Sequence, residues 1–173
     1  MNQSVILTVA GSDRPGLTHA IADAVFAVGG NWLESHLSRL GGRYVGSVLV
    51  DVPQERLDDL AAAAQAIDET GLKVDIIAAV DGPDRGGQPL TIEIVGQDRP
   101  GIVREVANVL ASLDVNIDAL ATAIEGSAWS GAPLFRATAD LLIPAGVSTD
   151  QVRDALERIS AEIMVDFSVQ GAG

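Results

Sequence analysis

The sequence predicts an α+β protein built of two ferredoxin-like βαββαβ domains, each an antiparallel sheet with its helices on one face. Three observations carry this. The stretch "AGSDRPGL" at 10–17 returns as "VGQDRPGI" at 95–102, so Gly-x-Asp-Arg-Pro-Gly occurs twice at a spacing of 85. Each copy follows an alternating apolar segment and precedes an apolar stripe of helical period. Each half then reads strand, strand, helix, strand. That order is the split βαβ arrangement, and right-handed crossovers put both helices on the same face.

Taken in order, the first strand falls near 4–10, where Val5, Leu7 and Val9 alternate; Leu90, Ile92 and Ile94 repeat it near 89–96. The first helices fall near 15–29 and 100–113. Leu17, Ile21, Val25 and Val28 make one face, and Ile102, Val106, Leu110 and Leu113 repeat it. Asn31 and Asn116 open the second strands, near 32–40 and 117–126. Beyond them the offset becomes 91: Tyr44 matches Phe135, Pro53 matches Pro144, and "VDI" at 74–76 matches "VDF" at 165–167. The second copy thus carries six extra residues around "EGSAWSGAPL". The third strands fall near 43–52 and 134–143. Gly46, Val48, Val50 and Val52 share one side of the first, and Ala137, Ala139, Leu141 and Ile143 one side of the second. The second helices are expected near 54–70 and 148–162, and the last strands near 72–80 and 163–169. "DGPDRGGQP" at 81–89 is rich in turn residues. The domains are therefore set at 1–82 and 89–173, with a linker at 83–88.

Composition narrows the function. Apolar residues make up 47% of the chain, which supplies a core and argues against disorder. Eleven basic residues face twenty-four acidic ones, a net charge of −13, which repels nucleic acid and anionic lipid. There is no cysteine, so disulfides, thiolate metal sites and a Cys nucleophile are excluded. No basic leader and no apolar run of membrane-spanning length are visible, which predicts a cytoplasmic protein. His19 and His36 are isolated and make a poor metal set. No metal and no cofactor is expected. An RNA-binding domain of this fold would need aromatics on the central strands and a basic face; neither is visible.

The repeated motif sits where the first strand ends and the first helix begins. Pro15 and Pro100 fall at about the first helical position. Asp13 and Asp98 can cap or support that start. Gly16 and Gly101 permit close approach to the backbone. One reading is a well-made helix start, copied by duplication. The other is that N–H groups at the helix start hold a small carboxylate. Arg14 and Arg99 are read as solvated. Asn31 follows a helix-ending "GG", but Asn116 is kept in "DVN" without a glycine. An amide there can accept from an ammonium and donate to a carboxylate.

The chain resembles a tandem pair of ACT domains, through the duplicated turn, the Asn at the start of the second strand and the βαββαβ order. The pairing, with "SGAPLF" at 130–135, resembles the glycine cleavage system transcriptional repressor family. The resemblance implies side-by-side association into a homo-oligomer, with a small amino acid, glycine or serine, at the interface. Carried over, the ligand-binding residues are Asp13, Pro15, Gly16, Leu17, Asn31, Asp98, Pro100, Gly101, Ile102 and Asn116. The turn comes from one domain and the Asn strand often from its neighbour. A repressor of this kind is not expected to touch DNA; it engages a DNA-binding regulator protein.

Three other readings stay beside this one: an accessory regulatory subunit of an amino-acid metabolic enzyme, a dimerising module without a ligand, and an enzyme. Catalysis is disfavoured because no nucleophile, base and orienting group come together in the sequence. Trp32 is expected in the core or an interface. Trp129, in the inserted loop, is a candidate lid or partner contact, with a loop folded back on the sheet as the equal alternative.

Overall fold

Val5, Leu7 and Val9 alternate with outward residues along β1 (Asn2–Ser12), and their side chains are almost wholly buried. This strand is the centre of the first sheet, paired antiparallel to β3 (Arg43–Pro53) on one side and β4 (Leu72–Ala78) on the other. β2 (Asn31–Leu40) pairs with β3 as the edge, giving the order β2-β3-β1-β4. The register sets Val5 against Val50 and Leu7 against Val48, so both strands present apolar residues to the same face. That face is covered by α1 (Leu17–Ala27) through Leu17, Ile21 and Val25, and by α2 (Leu57–Asp68) through Leu60 and Ile67. The spacings are those of a single helical stripe. Burying each such Leu or Ile side chain contributes roughly 1.5–3 kcal/mol.

This computed structural model describes residues 1–68, 71–80, 82, 86–126, 133–159 and 164–168. The chain divides into two units, Met1–Gly82 and Pro83–Gly173. The second repeats the first: β5 (Gln88–Gln97), α3 (Ile102–Ser112), β6 (Asn116–Gly126), β7 (Pro133–Ile143), α4 (Thr149–Glu157) and β8 (Met164–Ser168), with strand order β6-β7-β5-β8. Val9 pairs with Val74 and Ile94 with Val165, so the duplication holds at the level of register. The second core gathers Leu90, Ile92 and Ile94 with Ile102, Val106 and Leu110, and closes on Val152 and Leu156 of α4. Trp32 packs, partly buried, against the first core.

Several elements differ from the sequence-based expectation. α1 and α3 begin at Leu17 and Ile102, two residues later than the prolines suggest. A short 3-10 turn at Gln54–Arg56 precedes α2. α4 ends at Glu157, where the expected helix ran on to 162. It starts on a capping box: the Ser148 side chain accepts from the Gln151 N–H and the Gln151 side chain accepts from the Ser148 N–H. The edge strands β2 and β6 each carry a bulge, between Trp32 and Glu34 and between Ile117 and Ala119. The bulge shifts the alternation, so Glu34 and His36 lie opposite Leu49 and Ser47 on the face away from the helices. Trp129 and most of the six-residue insertion lie outside the described residues.

Candidate functional site

The duplicated motif folds the same way twice. Gly16 has φ 91° and ψ −1°, and Gly101 has φ 92° and ψ −2°. With proline before it, this is the third position of a type II turn, where only glycine sits without strain. The turn bond is present in the second copy, where the Ile102 N–H donates to the Arg99 carbonyl at 3.4 Å. The glycine is then the helix cap: its carbonyl accepts the first helical bond, from Ala20 at 2.9 Å in one copy and Glu105 at 3.0 Å in the other.

This corrects the expected roles of two motif residues. Pro15 and Pro100 lie in the turn ahead of the helix, not at its first position. Asp13 and Asp98 are not the cap residues: the glycines three positions further on are. Asp13 instead takes Arg39 Nε at 3.0 Å, and the Asp98 N–H donates to the Pro133 carbonyl at 3.1 Å. A Cβ built on Gly16 or Gly101 meets no atom within 4 Å, so the space beside each turn is open.

The surroundings of the two turns differ. At the first, Thr18 Oγ1 and the Tyr44 hydroxyl lie 2.7 Å apart, and Arg43 Nη1 donates to Ser12 Oγ at 3.2 Å. Arg14, within the turn itself, is exposed. At the second, Arg99 grips Glu105 with both terminal nitrogens, at 2.8 and 2.5 Å; it is not simply solvated as the sequence suggests. The Arg99 hydrogen bonds hold the Glu105 carboxyl below the usual glutamate range, against an opposing push from desolvation and with help from the Arg99 and Arg104 charges. Val103, Leu120 and Phe135 line a narrow apolar crevice between α3 and the sheet.

The two asparagines stand at the far end of each sheet. Asn31 pairs with Asp51, eight residues along β2 from the Arg39 that reaches the first turn. At roughly 3.3 Å per residue that is about 26 Å. Asn116 pairs with Leu142, while the second turn follows Gln97, opposite Leu134. The fold therefore does not bring the turn and the Asn of one domain together. Asn31 is exposed, and Asn116 donates to the Asp118 carboxylate beside it.

His36 lies in a shallow pocket of about 200 Å³ with Ile6, Ser47 and Leu49, on the open face of the first sheet. Its Nε2 is 3.0 Å from Glu34 Oε1, and both side chains are at least 65% exposed. His19 pairs along its helix with Asp23 at 3.1 Å. Among the described residues no three His, Asp or Glu side chains cluster to hold a metal, and no helix is long and apolar enough to cross a membrane.

Comparison with known proteins agrees with this architecture. Residues 3–77 and, separately, residues 90–161 match the ACT domain. The chain belongs to the ACT-domain family, and carries the domain twice in tandem. It is 32% identical, over 98% of its length, to phosphoserine phosphatase SerB2 of Mycobacterium tuberculosis, of which it spans 41%. Among solved structures, it resembles an unknown protein from Galdieria sulphuraria, with a TM-score of 0.83, 27% identity and coverage of 97% of this chain and 98% of that one. A candidate glycine cleavage system transcriptional repressor shares the fold, with a TM-score of 0.72, 14% identity and coverage of 98% and 99%.

Proposed function

We propose that this protein is a non-catalytic regulatory protein that binds a small amino acid at its Gly-x-Asp-Arg-Pro-Gly turn and passes the signal on by protein contact. The observation that carries the reading is the turn itself: it is folded alike twice, with an αL glycine and open space at the start of a helix. The first N–H groups of a helix have no partner within it and attract a carboxylate. ACT domains are amino-acid-binding modules, which gives the turn its ligand class.

Asp13, Pro15, Gly16 and Leu17 form the first turn, and Asp98, Pro100, Gly101 and Ile102 the second. Asn31 and Asn116 stand too far from their own turn to touch the same ligand. In this reading they take the ammonium or carboxylate of an amino acid held by the turn of a partner chain, so the functional form is a homo-oligomer. Serine and glycine are the favoured ligands. Serine gains support from the likeness to a phosphoserine phosphatase, since removing phosphate from phosphoserine yields serine. Glycine has about five heavy atoms, and at roughly 1.5 kcal/mol per atom its affinity is capped near micromolar. That suits the sensing of an abundant metabolite.

The partner is a protein, and a net charge of −13 disfavours direct binding to nucleic acid. A DNA-binding regulator is the proposed target, on the fold shared with the candidate repressor. The likeness to SerB2 supports a second target, an enzyme of amino-acid metabolism. Calorimetric titration with glycine, serine and the remaining amino acids tests the reading. Saturation at micromolar to low-millimolar concentration is expected. Absence of heat, together with no thermal stabilisation by any amino acid, would leave the turn as a duplicated helix start.

A further inference from the structure

We infer that the two turns have diverged in chemistry, and that the first domain carries the working amino-acid site, one per chain. This rests on the sensor reading above and deepens it. Thr18, Arg39 and Tyr44 stand around the first turn. The aligned positions at the second are Val103, Ile124 and Phe135. The registers agree: Tyr44 sits between Gly11 and Arg39, and Phe135 between Gly96 and Ile124.

The hydroxyl pair is the discriminating feature. Thr18 and Tyr44 share one proton between them at 2.7 Å, which leaves a second hydroxyl proton and several lone pairs for a ligand. Thr18 is the second residue of α1, so that hydroxyl lies next to the unpaired N–H groups of the first helical turn. Arg14 belongs to the turn itself, and Arg39 reaches it from β2 to bond the Asp13 carboxylate. Two of the eleven basic residues of a strongly acidic chain thus stand at this turn.

The second turn offers the reverse. Val103 and Phe135 donate nothing, and Phe135 is 3% exposed. Ile102 spends its N–H on the Arg99 carbonyl. Glu105 sits one turn into α3 as a carboxylate kept ionised by Arg99. It neutralises the guanidinium a ligand carboxylate would seek and repels that carboxylate directly. The ligand class for the first site is an amino acid recognised through its carboxylate and, for serine, a side-chain hydroxyl.

The test is calorimetry of the full chain with L-serine and with glycine, on the wild type and on Thr18→Val with Tyr44→Phe. This pair gives the first domain the residues the second already folds with. One site per chain is expected, and the double variant should lose at least tenfold in affinity with an unchanged melting temperature. If the double variant does not fold, Tyr44→Phe alone should still lose several-fold. Two equivalent sites per chain, or a folded variant with wild-type affinity, would overturn the inference and leave the sensor reading standing. No binding of any amino acid to the wild type would overturn both.

Discussion

Replacing Gly16 by alanine separates two explanations of the motif. The glycine holds φ 91°, a region that L-residues enter at a cost of roughly 1–2 kcal/mol. The added Cβ meets no atom within 4 Å, so no clash adds to that cost. The whole effect is conformational. Gly16→Ala should therefore destabilise the first domain by about 1–2 kcal/mol, which for a domain of this size lowers the melting temperature by roughly 4–8 °C per kcal/mol. Gly16→Asn should cost less, because asparagine tolerates the left-handed region. Gly101→Ala, at φ 92° with equally open surroundings, should match Gly16→Ala. Urea unfolding followed by circular dichroism measures all three. A neutral Gly16→Ala would refute the turn geometry; an asparagine more costly than alanine would show a steric block.

Other consequences are more local. Ile21→Ala and Ile92→Ala each empty a fully buried site and should cost about 2–5 kcal/mol in chemical denaturation. Ser148→Ala removes the hydroxyl that accepts from the Gln151 N–H, leaves the backbone bond from Ser148 N–H to the Gln151 side chain, and should cost about 1 kcal/mol, read from the unfolding midpoint. Glu105 should titrate below the ordinary glutamate value in a carboxyl NMR titration, and Arg99→Ala should restore it. Because this carboxyl is depressed in the fold, its stabilising effect is complete above about pH 4.3. That effect should disappear as the pH falls through the lower folded-state value.

Much of the fold was legible because alternation and helical period report which face is buried. Val5-Leu7-Val9, Leu17-Ile21-Val25 and Val48-Val50-Val52 all lie in one core, as their spacing requires. The change of offset from 85 to 91 located the insertion, and strand register confirms the alignment on both sides of it. The site was less legible. Pro-Gly reads equally as a helix start or as the centre of a type II turn, and only the φ of Gly16 decides. The bulges after Trp32 and Ile117 have no periodic signature, since one extra residue resets the alternation it interrupts. The pairing of Arg99 with Glu105 spans a turn and a helix start, so neither helical nor strand spacing suggests it. The distance between Asn31 and its own turn is a property of β2's length and pairing. The Gly41–Gly42 reversal contained the clue, because it turns β2 into β3, whose start pairs with the end of β1, and so leaves Asn31 at the opposite end of the sheet.

The most direct measurement is an amide NMR titration of the isotopically labelled chain with L-serine and glycine. Saturable shifts at Asp13, Arg14, Gly16, Leu17 and Thr18, joined by Asn31 across an assembled interface, are the predicted result. Shifts confined to the open face around His36 and Leu49, or no saturable shift at the turn, would contradict the central claim that this duplicated turn is an amino-acid site.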